Sequence, residues 1–415
     1  GQAAPTVVWT YDAIELDGLI VQGGRAQGRE SHLHDINSCG GLAAFAPHDA
    51  QGNPIPNVEI SIRNCTFRDN RAYLSCAPLG IFPEEDIHCV IQNCLFENNA
   101  ITYSFASNEP LIELNPFEPP GSYNDLSYCP YPSGGSRYLV DSCIFRRNTG
   151  NFDSYVHVAG EDVVFANCLF DTLSGERHEL QLGSHAYTDT LTVRNCEFQL
   201  GGSAQIGANY ALGTLSFEKS FVGKDKGYFS GFYLGSIGAL TVSGCVMDNG
   251  IYCECYSPYV QDSQFGNCAI DSCTFANYAS LQVPSGIGLY TVSNCVFTSQ
   301  LLYTQGCPPI IHHSLLPAPA AGEGNITGDP RFVDVTSRDY RLLPDSPCVD
   351  TGDPNAAATR DIAGHWRPQG AGMDMGAYEY EEADSDGDGI FDVTEGAGDF
   401  DHDGISNDLD SDSDG

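Results

Sequence analysis

The sequence predicts an all-β chain wound as a parallel solenoid of about a dozen turns, followed by a short acidic repeat segment. Three observations predict it. A four-residue phrase returns at intervals of mostly 22–29 residues, the mark of units that stack only on their neighbours. The residues ahead of each copy alternate apolar and polar, which is strand spacing and not helical spacing. The final stretch abandons the phrase for aspartates at every second position.

The phrase is Asn64-Cys65-Thr66-Phe67. It returns as Asn93-Cys94-Leu95-Phe96, Ser142-Cys143-Ile144-Phe145, Asn167-Cys168-Leu169-Phe170 and Asn195-Cys196-Glu197-Phe198. Further copies are Gly244-Cys245-Val246-Met247, Ser272-Cys273-Thr274-Phe275 and Asn294-Cys295-Val296-Phe297, with a degenerate Lys219-Ser220-Phe221-Val222 between them. Counted on the Cys position, the steps are 29, 49, 25, 28, 24, 25, 28 and 22 residues. The 49 is either two turns or one turn carrying an insertion.

Ahead of the phrase lie Val58-Glu59-Ile60-Ser61-Ile62, Leu191-Thr192-Val193, Leu240-Thr241-Val242 and Tyr290-Thr291-Val292. Each turn thus turns inward two β-branched or aromatic residues, then the Cys, then the Phe. The Asn sits at a bend, where its amide can bond nearby backbone and tolerate left-handed geometry. Stacking would align the Asn and Phe positions into a polar and an aromatic ladder. A leucine-rich repeat shares this period but needs several leucines per unit and commonly a helical return. The pattern is that of a parallel β-helix.

On these residues the chain resembles right-handed parallel β-helix repeat proteins of the pectin-lyase-like superfamily, in the form found on bacterial secreted and surface proteins. Leu16-Asp17-Gly18-Leu19-Ile20-Val21-Gln22-Gly23-Gly24 is similar to that family's early coil. Gly328-Asp329-Pro330, Phe332-Val333-Asp334, Asp339-Tyr340-Arg341-Leu342, Ser346-Pro347-Cys348-Val349-Asp350 and Gly376-Ala377-Tyr378-Glu379-Tyr380 are similar to its closing segment. The division this implies is a β-helix over 1–327, a closing segment over 328–380 and the acidic repeats over 381–415. Such a resemblance speaks to architecture and not to activity, since the fold hosts lyases, hydrolases, adhesins and structural proteins.

Along the chain, residues 1–30 are read as the first turn, with no amphipathic helix ahead to cover its strand edge. An uncovered edge is a template for another chain. Residues 31–57 are turn-rich. Residues 101–137 are the largest interruption, with six prolines between Pro110 and Pro132 beside Tyr123, Tyr128 and Tyr131. Long loops carry function more often than cores do.

In all, 18 basic residues face 55 acidic ones across 415, a formal charge of −37. Fourteen acids lie between Glu381 and Asp414, where there is no Lys or Arg. Such a surface repels nucleic acid and anionic membranes. No run of 18 apolar residues exists, so no membrane insertion is expected. Scarce Lys beside abundant Gly, Tyr and Asn fits an extracellular or cell-surface location. The chain starts at Gly1, and any signal peptide is expected to have been removed or to lie outside it.

Seventeen cysteines invite a disulfide reading. Eight occupy the repeated core position, however, and Cys89 and Cys268 the strand column ahead of it. Cys76, Cys253 and Cys255 align with a further inward column. Equivalent positions on neighbouring turns lie about 4.8 Å apart with parallel side-chain vectors, which is poor geometry for a bridge. That leaves Cys39, Cys129, Cys307 and Cys348 as candidate disulfide partners. No paired C-x-x-C spacing suggests a Cys-bound metal.

A second column aligns after each Phe: Leu74-Ser75-Cys76, Val156-His157-Val158, Leu180-Gln181-Leu182, Ala204-Gln205-Ile206, Phe232-Tyr233-Leu234, Cys253-Glu254-Cys255 and Leu281-Gln282-Val283. Its outward members, His157, Gln181, Gln205, Tyr233, Glu254 and Gln282, are candidate carbohydrate contacts or an amide ladder that stiffens the rod. Polysaccharide cleavage demands a general base with an acid or electrophile within a few ångström. Here the titratable candidates are His157, Glu254, Glu179 and the neighbouring Glu176-Arg177-His178 with His185, for which a plain solvated edge is the preferred reading.

After Tyr380 the composition changes. Asp384, Asp386, Asp388, Gly389, Ile390, Asp392 and Glu395 match a twelve-position calcium loop at positions 1, 3, 5, 6, 7, 9 and 12. Asp399, Asp401, Asp403, Gly404, Ile405, Asn407 and Asp410 match again, and Asp410, Asp412 and Asp414 begin a third. Alternating carboxylates supply hard oxygens, the Gly permits the sharp turn and the Ile offers its carbonyl. Only three residues separate Glu395 from Asp399, so these are not an EF-hand pair. They resemble thrombospondin type 3 calcium repeats. A disordered acidic linker is the bland alternative, but random acidity does not place Gly and Ile at those positions. The expected cofactor is Ca²⁺.

Three functions follow, in order of preference. The first is a non-catalytic extracellular structural protein: a rigid rod roughly 55–60 Å long at about 4.8 Å per turn. It would assemble with copies of itself into a filament or surface layer, its joint stiffened by calcium. The second is a polysaccharide-binding adhesin using the second column and the tyrosine-rich loop. The third is a polysaccharide lyase or hydrolase with Glu179, His157 or Glu254 as acid or base. Of two sequons, Asn64 is expected to be inaccessible and Asn325 to lie in an open loop.

Overall fold

The structure is a computed structural model. It describes residues 6–8, 14–26, 40–45, 49, 51–53, 55–72, 78–82, 86–101, 112–114, 135–149, 156–158, 160–171, 180–183, 187–200, 204–206, 211–224, 230–233, 236–248, 251–254, 266–277, 280–282, 289–299, 308–357, 359–381, 385 and 395–411. Over several strands, 180–183 and 204–206 among them, only the backbone path is described.

Apart from two antiparallel pairs in the closing segment, Phe332–Asp334 with Asp339–Leu342 and Thr359–Arg360 with Trp366–Arg367, each strand pairs in parallel with its counterpart one turn away. This builds an 11-stranded sheet from Ile14–Asp17 to Ile310–His312 and a 12-stranded sheet from Ile20–Gln22 to Ile326–Thr327. The third face is a seven-stranded sheet from Thr6–Val8 to Ala204–Ile206, followed by a three-stranded one of Ser230–Tyr233, Ile251–Glu254 and Ser280–Gln282. The architecture is a parallel β-helix solenoid.

Why the phrase recurs is plain from one turn. Val58–Arg63 runs in the 11-stranded sheet with Val58, Ile60 and Ile62 buried and the alternate residues outward. Asn64 then turns the corner at φ +55°, and Thr66–Arg68 continues in the 12-stranded sheet with Phe67 buried. The corner position is left-handed in every copy: Asn93, Ser142, Asn167, Asn195, Lys219, Gly244, Ser272 and Asn294 all have φ between 45° and 61°. Asn and Gly reach that region at low cost.

Three ladders fill or line the interior. Phe67, Phe96, Phe145, Phe170 and Phe198 pair in register, with centroids 4.8–5.0 Å apart and rings within 6° of parallel. Val222 and Met247 take the next two places, and Phe275 stacks on Phe297 at 4.6 Å. Because Phe96 pairs directly with Phe145, the 49-residue step is one turn with an insertion, and Ile112–Leu114 is that turn's ordinary strand in the seven-stranded sheet.

The cysteine column is chemically specific. Each Sγ lies near the carbonyl two residues earlier, as Cys168 with Ala166 at 3.2 Å, and near a carbonyl of the previous turn, here Val140 at 3.4 Å. Ser220 occupies the same column, donating to Glu218 O at 2.8 Å and accepting from Cys196 N at 3.0 Å. Ser314 repeats this with His312 O and Cys295 N. The column thus selects a small side chain with a donor hydrogen, which Cys and Ser share.

A third ladder was not legible in the phrase. Asn70, Asn99 and Asn148, three residues beyond each Phe, are buried and bonded turn to turn. Asn70 Nδ2 donates to Asn99 Oδ1 at 3.0 Å and Asn99 Nδ2 to Asn148 Oδ1 at 2.9 Å. Each amide also donates to a carbonyl one turn back, Val21, Phe67 and Phe96 respectively. The corner asparagines form an outer line instead: Asn64 is exposed, bonded to Asp17 at 2.7 Å, and so is not the inaccessible sequon expected. The second sequon is the constrained one, because Asn325 Nδ2 donates to Ile311 O at 3.0 Å.

The eleven cysteines whose side chains are described are free and buried, Cys348 included, so Cys348 is not a disulfide partner. Cys39, Cys129 and Cys307 lie outside the described residues. In this turn Leu79–Phe82 forms a strand of the seven-stranded sheet, with Leu79 and Ile81 buried; residues 74–76, where a strand was expected, lie outside the described residues. The sequence reading also missed a turn: Ile311-His312-His313-Ser314-Leu315-Leu316 is a further copy, with Ser in the Cys column and the buried Leu316 at the Phe position.

The described residues of 328–380 pack along the outer flank of the 12-stranded sheet. Outward residues Val246, Ala276, Val296 and Leu315 form a second apolar cluster with Phe332, Tyr340, Leu342, Cys348, Met375 and Ala377. Polar ties pin this seam: Ala377 N donates to Thr274 Oγ1 at 2.9 Å, Gly376 N to Asn294 O at 2.7 Å, and Arg338 pairs with the buried Asp248 at 3.1 Å.

Candidate functional site

The acidic segment is described at 381, 385 and 395–411, so of the candidate ligands of the first calcium loop only the last, Glu395, is described. Asp384, Asp386, Asp388, Ile390 and Asp392, and likewise Asp412 and Asp414, lie outside the described residues. Glu395 has both carboxylate oxygens shielded from solvent.

The second loop is drawn together. One carboxylate oxygen each of Asp399, Asp401 and Asp403 falls within 4.8 Å of the others, all three residues being exposed. Backbone donors hold them: Gly404 N to Asp399 Oδ2 at 3.2 Å, Asp403 N to Asp401 Oδ1 at 3.0 Å and Ile405 N to Asp403 Oδ1 at 2.7 Å. Gly404 has φ +98°, which explains glycine at position 6 of the loop. Asn407 closes the loop, accepting from Phe400 N at 2.9 Å and donating to Glu395 O at 3.4 Å. Its amide therefore braces backbone at both ends of the loop. Asp410 follows the short 3-10 turn Asn407–Leu409. Three convergent hard oxygens with a backbone carbonyl available at Ile405 fit a calcium ion.

The lateral column is partly as expected and partly not. Gln181 pairs with Gln205 in the seven-stranded sheet, and Tyr233, Glu254 and Gln282 share one line across the three-stranded sheet. His157, however, is opposite Gly183 and not Gln181, because the register between these strands is shifted by two. The line through His157 runs back to Glu113 and Gly80, which the alignment of short triplets did not reveal. Glu179, His178 and His185 lie outside the described residues.

Elsewhere in the closing segment a buried polar knot is fully paired. Arg367 donates to Glu379 at 2.8 Å and to the carbonyls of Gly376 and Asp374. Burial first, and then the Glu379 charge, push the Asp374 carboxyl up to about 7. His312, His313 and Asp353 form another cluster of metal-ligating type. Among the described residues no helix is long and apolar enough to cross a membrane. No protein-family model matches the chain, and no curated protein matches it.

Proposed function

We propose that this chain is a non-catalytic extracellular structural protein, a rigid β-solenoid that associates with copies of itself into a filament or surface layer. In this reading it belongs with the bacterial secreted members of the pectin-lyase-like superfamily, and its acidic segment is a thrombospondin type 3-like calcium module. The observation that carries the reading is the form of the sheets. Two parallel sheets run the length of the rod and a third face is divided in two, and among the described residues the terminal strands, Thr6–Val8, Ile14–Asp17 and Ile20–Gln22, pair on one side only. Leu19 and Ile20 beside them are exposed, Ile20 by 62%. Strand edges of this kind accept another strand in the same geometry, and contacts that do not close into a ring propagate.

Asp399, Asp401 and Asp403, with Ile405 through its carbonyl, would hold the ion in the second loop. Calcium supplies the positive charge that lets three carboxylates converge. The proposal is tested by light scattering and electron microscopy of the purified chain over a concentration series, with calcium and with chelator. Ordered assemblies that depend on concentration support it. Single particles at the highest concentration in calcium overturn it. A second reading, polysaccharide binding, draws on the line of Tyr233, Glu254 and Gln282; a glycan array without signal removes it.

A further inference from the structure

Where the last turn meets the closing segment lies a cluster that neither the ladders nor the acidic loops explain. His312 ends the strand Ile310–His312, and His313 follows at the corner with φ +45°. Because Ser293 pairs with His312, His313 stands where the preceding turn has Asn294. Asp353 arrives from the closing segment, its N–H donating to Asn294 Oδ1 at 2.6 Å. The Nδ1 atoms of the two histidines are 3.3 Å apart, and Asp353 Oδ2 is 3.7 Å from His312 Nδ1. One ligand atom from each residue lies within 4.8 Å of the others, and all three residues are half-buried.

Those spacings have a chemical meaning. A tetrahedral ion with bonds of about 2.0–2.1 Å holds its ligand atoms about 3.3–3.4 Å apart. The imidazole pair already has that separation, with ring planes at 90° so that two nitrogens converge without stacking. The carboxylate is oriented from behind: Asp353 Oδ1 accepts from Asn355 N at 2.8 Å and Asn355 Nδ2 at 3.2 Å, leaving Oδ2 for His312. Hydrogen bonds of this sort orient ligating groups in metal sites. The His313 ring is seated on Gly324, where a Cβ would come within 2.2 Å of it, and the backbone N–H of His313 donates to Glu323 O at 2.7 Å.

We propose that His312, His313 and Asp353 bind one divalent transition-metal ion, zinc or its cobalt and nickel analogues, and that this ion clips the closing segment to the last turn. Two imidazoles and a carboxylate suit such ions. Calcium prefers six to eight oxygens and is disfavoured here. The proposal is independent of the assembly reading and of the acidic loops. Its rival is a metal-free hydrogen bond between two neutral imidazoles.

The test is a Co²⁺ titration of the full chain, stripped by chelator and then held in saturating Ca²⁺ so that the acidic segment is filled. One equivalent is expected to bind with the intense visible absorption of a low-coordinate, nitrogen-ligated site and to be displaced by Zn²⁺. His313→Asn is the decisive variant, because Asn occupies this corner in five other turns and so preserves the fold. It should weaken Co²⁺ binding by at least about 10–100-fold, the loss typical of even an outer-shell change. Asp353→Asn should do the same, while both variants keep the wild-type circular dichroism. Absence of the absorption band overturns the proposal, as does a band that survives in His313→Asn or one of the weak octahedral, all-oxygen kind.

Discussion

Cysteine here acts through its size and its hydrogen, not its redox chemistry. The column at 65, 94, 143, 168, 196, 245, 273 and 295 is buried, and burial pushes the thiols of Cys89, Cys245 and Cys295 well above their ordinary range. Buried, neutral thiols are poor nucleophiles. Since Ser220 and Ser314 already make the column's contacts, Cys168→Ser is expected to cost no more than about 1 kcal/mol, the worth of one ordinary hydrogen bond. Phe170→Ala opens the aromatic stack on both sides and should cost about 3–5 kcal/mol. Denaturant unfolding of the two variants compares them directly. Equal losses would mean that the interior does not read side-chain volume as argued.

At the scale of the element, two polar devices hold unlike parts together. The inner ladder of Asn70, Asn99 and Asn148 satisfies backbone donors and carbonyls across turns, so Asn99→Leu strands Asn70 N and Phe67 O in the interior. A loss of about 2–3 kcal/mol or more is expected from buried groups left unpaired. The solvent-facing Asn98→Ser serves as the control, and a loss no greater than that of the control would refute this role. The second device is the knot around Arg367. Asp374 is held up to about 7, so the folded chain grips its proton more tightly than the unfolded chain does. Its contribution is therefore complete below about pH 4 and is lost as pH rises through about 7. Asp334 runs the other way: hydrogen bonds from Thr336 and Ser337 hold it down to about 2, and its contribution fades only as pH falls through that value. Between pH 7.5 and 5 the closing segment should therefore become more protected. Hydrogen exchange at the Asp350 and Tyr380 amides, which donate to Asp374, reads this out. Asp374→Asn should flatten the trend, and protection that falls over this range in the wild type would sink the assignment.

For the whole molecule, the solenoid and the acidic segment should respond separately to chelation. Among the described residues the ladders hold no cluster of carboxylates, whereas Asp399, Asp401 and Asp403 converge with no Lys or Arg anywhere in 381–415. Removing calcium is expected to speed proteolysis within 395–411 while leaving the melting of the β-helix unchanged. Asp401→Asn should raise the calcium needed for protection. Cleavage at one rate with and without calcium would show that the loop does not depend on the ion.

Much of this was legible because a solenoid repeats its own physics. A parallel stack places like residues upon like, so period, inward Cys and Phe, and the left-handed corner could all be read from one line of text. The inner asparagines escaped notice because Asp69-Asn70, Asn98-Asn99 and Arg147-Asn148 fall in a stretch whose direction depends on a second left-handed corner, at Asp69, Asn98 and Arg147. The lateral column was only half right, since triplets separated by long loops leave register undetermined by two residues, as His157 and Gly183 show.

The sequence by itself determined the architecture, the occupants of the core and the composition of the acidic loops, because each depends on local periodicity and on neighbours one turn away. Tertiary structure alone decided that residues 328–380 lie along a flank, that Asn64 is open while Asn325 is committed, and that His312, His313 and Asp353 meet. Those outcomes bring together residues up to about a hundred positions apart, as Ala377 and Thr274 do, and no repeat in the text encodes a contact made only once.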